Sequence, residues 1–386
     1  MNLSVDHNRK FIPAILWALT VWAVAGQTAG LRVDLNPPER RTDILTPHWE
    51  NWAWHEGNSD SQTFGGVTVT FRAAPPAVLT PVLFKGLLDY GAHMACDGIV
   101  VGKSTGDDGF DMTISGLTSG KHTIVTYHNE VRDLAPATFD VWMGETLKIK
   151  GFTPTTRATN DYEVASTFLE IDAVAGKEVM LRFRPEKSGA SRSLILNGFA
   201  IDAPDPHKMA IEPSPANDDE HWPNEQPLTW RSAPDAVAHQ FYFGTDSNSV
   251  AIATVTSPEF KGKLPRPSYS SLPKLDALRN YFWRVDEADA AGHVTRGEVW
   301  RFRVRHPAFP TAEGYGRFAI GGRGGRVLEV TNLQDYDARK GEAVIPGSFR
   351  AAVEAEARRR SPSPRPGSPA RARPGDEPRS LSGDTA

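Results

Sequence analysis

The sequence predicts an all-β chain, a jelly-roll-like antiparallel sandwich followed by a second and smaller sandwich. Short runs rich in Val, Ile, Phe, Thr and Tyr alternate with turn residues from Leu31 onward. Between Leu31 and Pro204 no stretch sustains the 3.6-residue apolar period of an amphipathic helix. The 33 glycines and 30 prolines in 386 residues, with 39% apolar and 23% charged content, exclude collagen-like, coiled-coil and wholly disordered chains.

In chain order, strands are expected over Val67–Phe71, Ile99–Val101, Met112–Ile114, His122–Tyr127, Phe139–Trp142, Thr167–Ile171 and Val179–Phe183, with a last core strand over Leu194–Ile201. Gly106 to Gly109 and Thr118 to Lys121 read as hairpin-type connections. A Pro-rich linker, Pro204 to Pro215, then separates a first domain (31–204) from a second (205–306). In the second, Leu228 to Trp230 and Gln240 to Gly244 alternate like facing strands, and Tyr281 to Val285 and Val299 to Val304 complete the set. Asp218 to His221 reads as an acidic linker.

At the N-terminus, Arg9 and Lys10 precede a mostly apolar run from Phe11 to Ala25 that ends in the small-x-small sequence Ala23-Val24-Ala25. Residues 1–25 therefore read as a secretory signal peptide, the run being too short for a membrane span, which needs about 20 apolar residues. The expected location is extracellular or the cell envelope, with no membrane attachment after cleavage. Cys96 is the one cysteine, so no internal disulfide forms, and it reads as a small buried apolar residue. The chain carries −4 overall, and its last thirty residues hold seven Arg against three acids, so the body is acidic and no nucleic-acid partner is expected.

Residues 205–306 resemble a fibronectin type III domain: Trp230 fits the core tryptophan of an early strand, and Leu278 with Tyr281 fits the leucine and tyrosine-corner pattern. Such domains serve as spacers. Further on come Ala312-Glu313-Gly314-Tyr315-Gly316, Gly321-Gly322-Arg323-Gly324-Gly325, Val327-Leu328-Glu329-Val330-Thr331-Asn332-Leu333 and Gly347-Ser348-Phe349-Arg350-Ala351-Ala352. In that order they resemble the opening of a secreted pectate lyase, where such elements cap a parallel β-helix. The resemblance implies a cap over 307–356, with Ser348 N-capping a short helix whose Phe349, Ala352 and Val353 cover the solenoid end. It also implies calcium-dependent β-elimination of pectate by the complete enzyme. The coils that would carry the catalytic arginine and hold calcium are missing, so no catalytic residue and no cofactor is assigned to this chain, which is expected to be inactive alone. From Arg358 onward the sequence is Arg-, Pro- and Ser-rich and reads as a disordered tail over 357–386, the product of a frameshift or misplaced end. Gly314 to Ala319 formally satisfies a dinucleotide-binding pattern but lacks the strand before it and the helix after it.

The first domain loosely resembles malectin-like or galactose-binding-like modules, and it supplies the binding candidates. His48-Trp49-Glu50-Asn51-Trp52-Ala53-Trp54-His55-Glu56 sets aromatic, amide and acidic groups together, which suits sugars: pyranose faces lie on indoles while hydroxyls need polar partners. In an extended chain Trp52 and Trp54 share one face and Trp49 takes the other. The same three indoles are also what a sandwich interior uses, and core packing is the favoured reading. Tyr127 and His128, at a strand end with Asn129 and Glu130, line the same cleft on this reading. Asp107, Asp108 and Asp111 read as a solvated hairpin tip rather than a calcium loop. The expected partner is an extracellular, pectate-like polysaccharide. The alternative to the lyase reading is a non-catalytic polysaccharide-binding protein.

Overall fold

The computed structural model describes residues 30–41, 44–86, 91–101, 109–186, 193–223, 226–277, 279–319, 328–337 and 340–355. The expected signal peptide, the tip residues Asp107 and Asp108, Leu278, the Gly321–Arg326 loop and the tail lie outside them. Two compact units divide the chain, 1–305 and 306–386.

The first unit opens with strands β1 (Leu31–Asn36), β2 (Glu50–Ala53), β3 (Ser59–Phe64), β4 (Val67–Ala73), β5 (Leu79–Leu83), β6 (Asp97–Val101), β7 (Phe110–Ser115) and β8 (Gly120–Glu130). It continues with β9 (Phe139–Met143), β10 (Thr146–Phe152), β11 (Thr155–Thr156), β12 (Ala165–Ala173), β13 (Val179–Pro185), β14 (Leu194–Leu196) and β15 (Gly198–Ile201). One sheet runs β11-β8-β15-β1-β2, with β12 paired along β8 on the same edge as β11, a second runs β10-β9-β13-β7-β4-β3, and a short third runs β14-β6-β5. Alternation decides what lies between them. Phe110, Met112 and Ile114 of β7, Leu181 and Phe183 of β13, and Val69 and Phe71 of β4 point inward to meet Val33, Leu35, Ile124, Leu169 and Phe199 from the facing sheet. Phe110 and Phe183 stack at 4.6 Å between centroids, and Phe71 meets Phe199 edge-on at 5.7 Å.

Two local expectations are corrected here. Leu194–Ile201 is not one strand. Asn197 interrupts it, so that β14 pairs with β6 while β15 pairs with β1 and β8. The buried Asn197 amide makes the switch tolerable: its Nδ2 donates to the carbonyls of Asp97 (2.6 Å) and Asn129 (3.1 Å), and its Oδ1 accepts from the Asn129 amide (2.6 Å). Nor does Thr118 to Lys121 close a hairpin, because β7 and β8 belong to opposite sheets and the segment arches between them.

The second sandwich sets β16 (Ile211–Ser214), β18 (Leu228–Arg231) and β21 (Ser268–Tyr269) against β17 (Asp219–Trp222), β24 (Val299–Val304), β22 (Tyr281–Asp289), β19 (Ala236–Gly244) and β20 (Phe260–Leu264), with β23 (Val294–Thr295) on β22. Trp230, Phe241, Trp283, Trp300 and Phe302 fill its core, with Trp283 against Trp300 at 4.6 Å. The Tyr281 hydroxyl accepts from the Asp276 amide at 2.7 Å, and Leu275 is buried in the core. Helix α1 (Ser247–Ile252) is capped by Asp246 at its start, and at its end Arg284 donates to the Val250, Ala251 and Ala253 carbonyls while pairing with Asp286 at 2.8 Å. The acidic stretch from Asp218 is no linker. It forms the parallel strand β17 on β24, and Arg301 pairs with Asp218 and Glu220. Likewise the Pro-rich stretch already contains β16.

Among the described residues of the unit 306–386 the expected β-helix cap is absent. Residues 328–333 form no strand, because no partner strand offers them a ladder; the Thr331 and Asn332 amides bond the Gly347 carbonyl instead. Ser348 does cap α2 (Phe349–Glu354), its Oγ accepting from the Ala351 amide at 3.2 Å. Yet Phe349 and Val353 are 70% and 65% exposed and cover nothing. Among the described residues no sheet curls or closes into a solenoid. The predicted fold class, two sandwiches ending in a β-helix cap, is therefore corrected in its last member, and the recognition of a truncated pectate lyase is overturned with it.

Candidate functional site

The nine residues from His48 are divided by the pleat of β2. Trp52 and Trp54 turn inward, are 1% and 0% exposed, and are ringed by one another, Phe64, Phe71 and Phe199 at 5.4–6.5 Å. Their indole N–H groups are spoken for as well, Trp52 donating to Asp60 Oδ2 at 3.0 Å and Trp54 to the Leu79 carbonyl at 3.2 Å. No indole face is left for a sugar ring.

Trp49 lies on the other side of the sheet, edge-on to Tyr127 at 5.4 Å. Both are half-buried among Phe84, Met94 and Cys96, whose thiol donates to the Ala92 carbonyl at 2.6 Å. Burial raises the Tyr127 phenol well above its ordinary value. Gly198 gives Trp49 its place, since a Cβ there would meet the Val33 carbonyl at 2.7 Å, Met94 Sδ at 3.1 Å and Trp49 itself at 3.2 Å. The Arg32 guanidinium lies 6.0 Å from the Trp49 ring centre and reaches Glu298 of the second sandwich at 2.7 Å. This face of the first sandwich is therefore partly closed by the second.

His128 is fully buried. Its Nδ1 sits 2.6 Å from the Ile195 carbonyl and its Nε2 2.7 Å from the Thr126 hydroxyl, and Phe139 and Phe152 flank its ring. Burial pushes its pKa down to about 4. A carbonyl can only accept, so the proton of the neutral ring is on Nδ1 and Nε2 accepts from Thr126. Asn129 donates to the Ala95 carbonyl and accepts from the Ala158 amide, and Glu130 takes Arg132 in a fork at 2.8 and 2.9 Å. The tetrapeptide 127–130 is thus a structural knot, and Tyr127 and His128 do not share a cleft with Trp52 and Trp54.

Three further buried carboxyls lie beside it. Asp34 accepts from the Thr46 hydroxyl at 2.7 Å, Asp97 pairs with Arg40 at 2.7 Å, and Asp161 accepts from the Ala95 amide at 2.9 Å. Burial raises all three, Asp161 to about 7. No group of three or more His, Cys, Asp or Glu side chains able to hold a metal occurs among the described residues, and Asp111 is held by Arg184 at 2.5 Å. The calcium chemistry implied by the lyase resemblance has no seat there, and that reading of function is withdrawn together with its β-helix.

The opposite outer face is different in kind. Across β3, β4, β7, β13, β9 and β10 the register aligns Ser59, Arg72, Asp111, Arg182, Trp142 and Leu147 in one outward row. The next row is Ser61, Thr70, Thr113 and Met180, and a third is Thr63, Thr68 and Ser115. Ser61 and Thr70 share a hydrogen bond at 2.8 Å, as do Thr63 and Thr68. Trp142 is half-exposed with no aromatic partner among the described residues, and Met180 beside it is 45% exposed. Trp142 has Arg182 and Leu147 across the register, and an indole beside a guanidinium on an open sheet face can stack a sugar ring and bond its hydroxyls. Sequence reasoning placed Trp142 in a strand but did not single it out. The signal was in Phe139-Asp140-Val141-Trp142, whose alternation puts Trp142 on the side of Asp140.

No protein family and no curated protein matches the sequence. Among solved structures, the chain is similar to the YXIM protein of Bacillus subtilis (12% identity, TM-score 0.26), covering 45% of this chain and 39% of that one. It is also similar to the CBM22-1 xylan-binding domain of Paenibacillus barcinonensis Xyn10C (14%, TM-score 0.24, 34% and 84% covered) and to a CBM35 from the same organism (12%, TM-score 0.21, 38% and 99%). The chain spans about two fifths of the Bacillus protein. At these scores the likenesses carry no argument on their own. Among the described residues no helix is long and apolar enough to cross a membrane.

Proposed function

We propose that this chain is a non-catalytic, exported polysaccharide-binding protein, with residues 31–204 as the binding domain and 205–306 as a spacer. The observation that carries the reading is Trp142, a half-exposed indole on the strand next to the sheet edge, on a face lined by Arg, Asp, Ser and Thr that nothing among the described residues covers. Carbohydrate-binding modules among the similar solved structures agree with it in kind. Bound sugar would lie with its apolar face on the indole and its hydroxyls toward Arg182, across the register from it. The test is affinity electrophoresis of the full chain through gels holding plant and bacterial polysaccharides. Retardation by at least one glycan, lost in Trp142→Ala with an unchanged unfolding midpoint, is the expected result. A chain that no glycan retards contradicts the proposal.

A further inference from the structure

We infer that the uncovered face selects anionic polysaccharides, those bearing carboxylate or sulfate groups; this rests on the glycan-binding reading above. The charges facing outward are unequal. Arg72, Arg182 and Arg184 come from β4 and β13, and Lys148 and Lys150 from β10, against Asp111, Asp140 and, just past the end of β13, Glu186. Asp111 is paired with Arg184 at 2.5 Å, and Asp140 accepts from the Gly151 amide at 2.8 Å. Glu145 and Glu178 stand only in the connections beside the face. Arg72 is exposed and makes no ion pair among the described residues, and Arg182 spends one N–H on the Gly144 carbonyl and keeps the rest of its fork.

Five cations against three carboxylates on a chain whose net charge is −4 make the face a local excess of positive charge and not a general basicity. Its geometry suits a polymer. Arg72, Asp111, Arg182 and Trp142 follow one another on successive strands, so three strand spacings of about 4.8 Å place Arg72 roughly 14 Å from the indole. A glycan crossing the strands would stack one ring on Trp142, offer that ring's anionic group to Arg182, and carry a later one to Arg72. A guanidinium binds either carboxylate or sulfate through paired N–H groups, and both ligand sources share that chemistry.

Calorimetric titration of the full chain with polygalacturonate, heparin and neutral xylan, each at about 0.05 and 0.5 M salt, tests this. Expected is affinity for at least one anionic polymer at least about tenfold above xylan, weakened by salt and reduced about tenfold or more in Arg72→Gln. Polygalacturonate alone would assign carboxylate recognition, heparin alone sulfate recognition, and either supports the inference. Xylan binding as tightly as both anions, with no salt dependence, overturns it while leaving the glycan reading standing. Binding of none of the three, with none retained in the gels, overturns both. Because Arg72 is exposed and unpaired, its loss of affinity cannot be put down to misfolding, and an unchanged unfolding midpoint checks that.

Discussion

The two outer faces of the first sandwich are built by the same alternation of strand residues and end in opposite states. On the sheet carrying β1, β8 and β15, the outward row Asp34, Gly198, Tyr127 and Ser166 has been closed over, and Arg32 beside it is tied to Glu298 of the next domain. Polar groups trapped there are held by local partners, Asp34 by Thr46, Asp97 by Arg40 and Asp161 by the Ala95 amide, while burial raises all three carboxyls. On the sheet carrying β4, β7, β9 and β13, nothing among the described residues lies over the outward row, and charge and an indole stay in solvent. A cluster of chemically rich residues is therefore informative only once its cover is known. The richest stretch of the sequence, 48–56, went mostly into the core, and the plainest strand kept the exposed tryptophan.

The contrast can be broken from the core side first. Trp52→Ala should lower unfolding free energy by about 3–5 kcal/mol in denaturant titrations, because it removes the hub of a closed aromatic cluster. Next comes pH. His128 is neutral when folded and has a pKa near 4 against about 6.5 unfolded, so between those values the unfolded chain takes up a proton that the folded one refuses. Its stabilisation is complete above pH 6.5 and is lost toward pH 4, about 3 kcal/mol in all. The buried carboxyls, raised instead and Asp161 to about 7, act in the opposite sense, so the measurement is the difference between wild type and His128→Gln across pH 4–7. A flat difference would show that His128 is not buried as described.

Smaller effects sharpen the covered face. Gly198→Ala should cost about 1–3 kcal/mol by thermal or chemical unfolding, since the new methyl meets the Val33 carbonyl, Met94 and Trp49. Arg32→Gln and Glu298→Gln should couple by less than about 1 kcal/mol in a double-mutant cycle, because both side chains keep about a third of their surface in water. Smallest of all, Trp142→Ala should change stability by less than about 0.5 kcal/mol, as a surface substitution.

Much of the first sandwich was legible. Alternation in Phe110 to Ser115 and Val179 to Phe183 marks both the strands and their inward faces, because period 2 is a local property of the chain. Sheet membership was not. Nothing in Leu194 to Ile201 announces that Asn197 will hand the chain from β6 to β1, since that depends on Asp97 and Asn129, far away in sequence. The same limit undid the cap: Val327 to Leu333 has the composition of a strand, but a strand needs a neighbour, and residues 328–333 have none. Ser348 capping α2 was legible because a cap is decided within one turn. Trp142 as a binding residue required knowing which of two similar faces stays open.

The most direct test of the account is to follow the indole N–H resonances of the ten tryptophans by nitrogen-15 NMR while a binding polysaccharide is added to the full chain. The Trp142 signal should shift or broaden first and most, with Trp52 and Trp54 unmoved. A titration that moves Trp49 and leaves Trp142 untouched would place the site on the wrong face and contradict the account.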